Sequence, residues 1–501
     1  MFTYAYPAEV GVSAKHIKKY ISVLERYGVV SHSIIMARDS KIFFEKYWAP
    51  FNADFKHRLY SSSKSFVSIA IGFMVQDGLV SLSDKMVDFF PEYVPDDLLP
   101  NVKNQTIRDM LMMSTGFIES QSFYLQEGTD DRVKFYFEKS RISNNKNSNG
   151  SKRPGEFYEY DSNGTFMLGA IVERISGKSL VDYLKEKLFD KIGVSQDLKC
   201  LKSPGGHAWS DSGIICTSMD FLKVANFVMN YGKVGDEKIL SEDYLREATS
   251  RQIDNSVYGT KWTRSNGYGY QFWRGWNNSF AFIGAGCQFA ICVPDKKLVF
   301  VCTGDNQANY VYSSAVIMDR FFEEIVDLIS DEPLPAEPEA QAELEEYCKD
   351  LKLFVAEGEK TSEIIPKISG KTFVLNENPM NVEKVKLTFC GDEGTLEYNN
   401  LQGEKVLRFG LGKNVFTTFP ETGYSGEFGG MPSPGNTYEC AVSAGWLSET
   451  KLGIVTQIID EYFGRVYMQF SFKEENEIAM LWRGDGEAFL YEYNGYAEGT
   501  M

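Results

Sequence analysis

Residues 331–345 separate two textures that require different architectures. Asp331-Glu332-Pro333-Leu334-Pro335-Ala336-Glu337-Pro338, continuing to Glu345, is acidic and proline-rich, which favours an extended linker. Beyond a short helical piece over 344–355, apolar strands recur with turn residues about every ten positions. The runs 385–390, 395–398, 406–409, 452–459, 465–472 and 478–482 predict an up-and-down meander. Closing it as a lipocalin-like barrel would remove its exposed edges. The 501 residues exceed what one hydrophobic core usually holds. The expected layout is a mixed domain over 1–330, a linker over 331–345 and an all-β domain over 346–501.

The mixed domain begins with an amphipathic helix over 12–27 and a hairpin over 33–48, turning at Arg38-Asp39-Ser40-Lys41. Helical segments over 84–90, 106–113, 131–137, 164–175 and 180–189, divided by Gly, Pro and Asn, form an all-helical subdomain. A helix over 220–231 follows. Strands over 268–273, 288–293 and 298–303 come next, the last two joined by the turn Pro294-Asp295-Lys296-Lys297, and a helix over 309–329 ends the region. Both ends of the domain supply strands, so one antiparallel sheet flanked by helices can unite them, an α+β fold.

Chemistry concentrates at His57-Arg58-Leu59-Tyr60-Ser61-Ser62-Ser63-Lys64, where an extended segment turns into a helix. Ser61 and Lys64 are three residues apart, which puts hydroxyl and amine on one helical face. A serine beside an amine can be an activated nucleophile. Ser143/Lys146 and Ser448/Lys451 repeat the spacing, but the first pair sits in the polar loop Ser143-Asn144-Asn145-Lys146-Asn147-Ser148-Asn149-Gly150 and the second in a turn between strands. Only Ser61 precedes an apolar helix, with Phe66, Ile69, Ala70, Phe73 and Met74 at core-facing positions. Backbone N–H groups of that first helical turn can face a developing oxyanion.

Two further segments carry functional residue types. Pro154-Gly155-Glu156-Phe157-Tyr158-Glu159-Tyr160-Asp161-Ser162-Asn163-Gly164 precedes the 164–175 helix, and a tyrosine near an ammonium can carry protons; loop anchoring is the plainer role. Phe280-Ala281-Phe282-Ile283-Gly284-Ala285-Gly286-Cys287-Gln288 enters a strand through glycines that permit close backbone approach, to a ligand or simply at a bulge. Aromatics crowd 262–276, as core or cleft wall, and His207 is given no role.

Composition excludes other classes. Sixty-nine acidic against fifty-two basic residues give net charge -17 with no basic run, which argues against nucleic-acid binding. The N-terminus lacks a signal-peptide pattern and no apolar run is long enough to span a bilayer, so no membrane association and a cytoplasmic location are expected. Eight scattered cysteines without a Cys-x-x-Cys pair suit reduced thiols, and four histidines offer little for a metal site. No cofactor is indicated.

Together, the Ser61, Tyr160 and Gly284 segments, in this order and separation, resemble the penicillin-recognising serine hydrolases: class C β-lactamases, D,D-peptidases, D-aminopeptidases and family VIII carboxylesterases. The resemblance covers about residues 5–330, from Gly11-Val12-Ser13 through Met167-Leu168-Gly169-Ala170-Ile171-Val172-Glu173 and beyond. Tyr160-Asp161-Ser162 and Leu168-Gly169 are most similar to the esterase and 6-aminohexanoate-dimer hydrolase branch. The resemblance implies an acylated nucleophile at Ser61, a general base at Lys64, a proton shuttle at Tyr160 and an oxyanion hole from the N–H groups of Ser61 and Ala285. It places Ser162, Phe282, Ile283 and Gly284 at the substrate.

Two departures bear on specificity. Ser162 stands where β-lactamases usually have Asn, with Asn163 one residue on and Tyr158 as a competing tyrosine. Phe282-Ile283-Gly284 replaces a triplet whose cation and hydroxyl hold a carboxylate, which an apolar pair cannot do. The expected substrate is a small-molecule ester or amide with a neutral or apolar acyl group. The alternatives are a D-amino-acid-specific peptidase or amidase, because D-aminopeptidases of this family carry C-terminal antiparallel barrels, and a non-catalytic binding or interaction protein. The C-terminal domain could also support a homo-oligomer.

Overall fold

The computed structural model describes residues 2–116, 130–139, 152–256, 266–430, 435–473 and 475–501. Ser143, Lys146 and Trp262 lie outside them. Two compact units emerge: Met1–Lys352 with Glu427–Gly429, and Leu353–Gly426 with Gly430–Met501.

In the first unit, Ser13 opens helix α1 (Ala14–Arg26) by accepting a hydrogen bond from the Lys15 N–H, and Ile17, Tyr20, Ile21 and Leu24 face inward. The strands of its two larger sheets, in chain order, are β1 (Thr3–Tyr4), β2 (Ser31–Arg38), β3 (Lys41–Tyr47), β4 (Lys56–Arg58), β5 (Lys199–Cys200), β6 (Ile214–Thr217), β7 (Trp273–Arg274), β8 (Phe280–Gly284), β9 (Gln288–Val293) and β10 (Leu298–Gly304). The main sheet runs β1-β3-β2-β10-β9-β8-β7, and β4-β6-β5 make a small second one. Asp39 and Ser40 both take positive φ, as a two-residue hairpin turn requires.

Pairing of Ile35 with Val301 and of Met36 with Phe300 joins the two ends of the domain, as the sequence predicts. Successive side chains alternate between two cores. Ile34, Met36, Phe289, Ile291 and Phe300 cluster with α1, whereas Ile35, Phe282, Ala290, Val299 and Val301 cluster with the intervening helices. Those helices include α2 (Ser63–Gln76), α3 (Arg132–Lys139), α4 (Ser162–Ser176) and α5 (Ser218–Met229). The expected helix over 84–90 is only a 3₁₀ turn at Met86–Phe89. After α6 (Tyr310–Glu324) comes α7 (Pro338–Lys349).

Helix α7 changes the expected layout, because much of the stretch taken for a linker is structured within the first unit. Pro338 fills the first helical position, where its missing N–H costs nothing. Ala340, Leu344 and Cys348, four residues apart, join the α1-side core. Ser13 Oγ donates to Glu337 at 2.7 Å and Lys18 pairs with Glu343 at 2.9 Å. The acidic composition belongs to the solvent face and hides the buried stripe.

The second unit has strands β11 (Thr372–Leu375), β12 (Lys384–Cys390), β13 (Glu393–Asn400), β14 (Gly403–Leu411), β15 (Val415–Thr422), β16 (Thr437–Ser448), β17 (Lys451–Ile458), β18 (Gly464–Phe472), β19 (Glu477–Gly486) and β20 (Gly495–Thr500). Their order is β14-β13-β12-β11-β20-β19-β18-β17-β16-β15. Gly410 and Leu411 pair with Ser443 and Ala444, so nine strands close a barrel while β15 shares an edge of β16. This is the expected lipocalin-like closure. Alternate residues such as Val385, Leu387, Leu396, Tyr398, Leu407 and Phe409 are buried.

Candidate active site

The serine turn is fixed by backbone pairing on its entering side. β4 pairs with β6, and the Leu59 N–H donates to the Ile214 carbonyl at 2.8 Å. Tyr60 then takes φ 48°, and the single 3₁₀ turn Tyr60–Ser62 delivers the chain into α2. From Ser63 to Met74 every residue of α2 is buried, so the core-facing stripe read from sequence is part of a helix enclosed on all sides. A half-buried Ser61 therefore sits on a rigid base.

Lys64, 2% exposed, lies one turn on. Its Nζ donates to Ser61 Oγ at 3.2 Å and to the main-chain carbonyl of Asp211 at 2.8 Å. It also lies 5.0 Å from the ring centre of Tyr160. Tyr160 is delivered by the start of α4, where Asp161 caps the helix by accepting from the Asn163 N–H at 2.9 Å and from Thr115 Oγ1 at 2.9 Å. Burial pushes the Asp161 carboxyl up, and those hydrogen bonds oppose the shift. The Tyr160 ring stacks on Trp273, centroids 5.8 Å apart. The competing Tyr158 is buried against Tyr268 and Trp273 instead.

The glycine segment approaches the serine turn through its backbone. A Cβ on Gly284 would lie 2.1 Å from the Leu59 carbonyl oxygen, so only glycine fits. Ser62 Oγ donates to the Gln288 carbonyl at 2.8 Å. Contacts of residues 59 and 62 with residues 284 and 288 bracket Ser61 and the exposed Ala285 between them. The Gln288 side chain steadies this turn, with Nε2 donating to the carbonyls of Gly304 at 2.6 Å and Ala285 at 3.2 Å.

Phe282 and Ile283 differ from expectation. The Phe282 ring is wholly buried among Phe66, Phe221 and Phe272, and Ile283 points into the α1-side core, because adjacent strand residues face opposite sides. Neither side chain is available to a substrate. Ser162 is half-buried in the first turn of α4. His207 is taken up by Glu173 on α4, Nδ1 to Oε2 2.8 Å. Ser448 and Lys451 are exposed and paired across the β16–β17 hairpin.

Other residues that hold the site had no local signal. Asp211, in Trp209-Ser210-Asp211-Ser212-Gly213, contributes a main-chain atom, which no motif reveals. Gln271 accepts at Oε1 from Thr165 of α4, and its carbonyl accepts from Ser65 of α2, binding the two helices together. His57, fully buried, has its imidazole pushed down to about 3 by desolvation and lies 3.2 Å from His32. Among the described residues no group of three or more His, Cys, Asp or Glu could hold a metal ion. No described helix is long and apolar enough to cross a membrane.

A Beta-lactamase family model matches residues 16–309, more than half of the chain. The chain belongs to the beta-lactamase family. Within that family it is similar to a 6-aminohexanoate-dimer hydrolase of Paenarthrobacter ureafaciens, 22% identical over 42% of this chain and 55% of the relative. It is also similar to penicillin-binding protein 4* of Bacillus subtilis (strain 168), 22% identical over 29% of this chain and 31% of the relative. The chain thus spans about half or less of these relatives' lengths. Among solved structures, EstCE1, a hydrolase with promiscuous acyltransferase activity, shares the fold at TM-score 0.50 and 15% identity over 62% of this chain and 98% of that one. In this beta-lactamase family member the Ser61–Lys64 turn and the Tyr160 segment converge from two separate parts of the chain.

Proposed function

We propose that the protein is a serine hydrolase that cleaves an ester or amide through an acyl-enzyme at Ser61. The observation that carries this reading is a buried amine 3.2 Å from Ser61 Oγ, held there by the Asp211 carbonyl. In its neutral form Lys64 takes the proton as Oγ bonds to the substrate carbonyl carbon. The N–H groups of Ser61 and Ala285 receive the oxyanion. Collapse breaks the bond to the alcohol or amine, which leaves with a proton passed through Tyr160. Water, deprotonated by the same groups, then attacks the acyl carbon and frees Ser61.

The substrate class is a small ester or amide with a neutral or apolar acyl group. Support comes from the half-buried Trp273 stacked on Tyr160, and from the absence of any cationic residue in the 282–284 segment to hold a carboxylate. The likeness to a 6-aminohexanoate-dimer hydrolase and to EstCE1 agrees with amide or ester chemistry.

Intact mass after reaction with a fluorophosphonate tests the nucleophile. Wild type gains one adduct and Ser61→Ala gains none. An unmodified wild type, or an adduct retained by Ser61→Ala, overturns the assignment. Lys64→Ala folds but acylates about 10²- to 10⁴-fold more slowly.

A further inference from the structure

We propose that Arg132 is a positioning residue for Lys64 and Tyr160, acting through Asp211 and Asn163. This rests on the hydrolase reading above. Lys64 Nζ is held by the Asp211 carbonyl, so whatever fixes residue 211 fixes the base. The Asp211 carboxylate is wholly buried, and Arg132 Nη1 donates to its Oδ1 at 2.7 Å. Its Oδ2 accepts no hydrogen bond among the described residues. A buried carboxylate so sparsely satisfied depends on its cation.

The same guanidinium reaches the other half of the site. Nη2 donates to Asn163 Oδ1 at 3.1 Å, in the first turn of α4 and three residues past Tyr160. The guanidinium carbon lies 4.1 Å from the ring centre of Phe166 on the same helix. One planar fork thus spans the segment whose carbonyl accepts from Nζ and the turn whose tyrosine covers Nζ. A lysine, as a point charge on a flexible stem, cannot reproduce both bonds at once.

Arg132 is itself anchored and, at 1% exposed, removed from any substrate. Its N–H donates to the Pro204 carbonyl at 3.1 Å, and Asp131 Oδ1 accepts from the N–H groups of Val133 and Lys134 at the start of α3. Arg58 grips the neighbouring Ser212 separately, Nε to the carbonyl and Nη2 to Oγ, both 3.0 Å. Loss of Arg132 therefore leaves the 209–213 segment attached while releasing its fine position.

The test is single-turnover acylation of Arg132→Lys and Arg132→Ala by a nitrophenyl ester. Both variants acylate about 10²-fold more slowly, with the substrate dissociation constant changed less than about threefold. Millimolar guanidinium chloride restores Arg132→Ala, and ammonium chloride at the same concentration does not. A wild-type rate in Arg132→Lys overturns the proposal, and so does a folded, slow Arg132→Ala that guanidinium leaves slow. Should Arg132→Ala fail to fold, the rate and dissociation constant of Arg132→Lys decide alone. Lys64→Ala separates the two readings: a wild-type rate there removes the hydrolase mechanism, whereas a slow Lys64→Ala beside a wild-type Arg132→Lys removes only the positioning role.

Discussion

Two tyrosines two residues apart occupy different worlds in this fold. Tyr160 covers Lys64 and stacks on Trp273, while Tyr158 is enclosed by Tyr268 and Trp273. On the proposed mechanism Tyr160→Phe is expected to lower turnover of a nitrophenyl ester by about 10²-fold with the melting temperature nearly unchanged, because it would remove the proton carrier and little packing. Tyr158→Phe should leave turnover within about threefold of wild type. Equal losses in the two variants would reverse the assignment. Gly284 shows the other residue-scale constraint. Gly284→Ala must push a methyl against the Leu59 carbonyl, and backbone cannot yield as a side chain can. Overpacking of this kind costs about 1–3 kcal/mol, read as a lower melting temperature, together with slower acylation as the Ser61 and Ala285 turns separate.

At the scale of elements, helix α7 is the informative case. Its proline and glutamates read as linker, yet Leu344 is buried in the core that also holds α1 and one face of the main sheet. Leu344→Ala is expected to destabilise the first unit by about 2–5 kcal/mol, measured by urea unfolding. A true linker would tolerate the change within about 0.5 kcal/mol. β16 makes the opposite point. At twelve residues, Thr437-Tyr438-Glu439-Cys440-Ala441-Val442-Ser443-Ala444-Gly445-Trp446-Leu447-Ser448 is the longest strand, but its small residues carry weak strand propensity. Gly445 has no room for a side chain, since a Cβ there would sit 2.3 Å from the Glu357 carbonyl. The strand exists because the barrel closes across it, which no local window reveals.

At the scale of the whole molecule, each unit carries its own pH response. His57 in the first unit is pushed down from 6.5 to about 3 by burial. Between those values the unfolded chain binds a proton that the folded chain does not, so stability rises with pH through this window and is fully present above 6.5. The loss on acidification is on the order of 5 kcal/mol. In the second unit the Glu492 carboxyl is raised from 4.5 to about 7, by burial first and then by the adjoining Glu421. There the folded chain keeps a proton that the unfolded chain has released, so that contribution is complete below 4.5 and is lost as pH rises through 7. Urea unfolding across about pH 5–8 should show the two opposite slopes. His57→Gln should flatten the acid one and Glu492→Gln the other, and an unchanged profile in either variant would contradict the corresponding cause.

The amino-acid order alone specified the two textures, the hairpin at Asp39-Ser40, the helix behind Ser61 and the meander, because each is written in local period and turn chemistry. It also singled out Ser61, Lys64 and Tyr160, since each sits in a short segment of distinctive residue types. Tertiary structure decided what those segments meet. The Asp211 carbonyl beneath Lys64, the Arg132 fork and the burial of Phe282 depend on contacts between residues scores of positions apart. A main-chain acceptor has no residue identity to read, and the face on which a strand residue lies is fixed by sheet register, which only the folded chain sets.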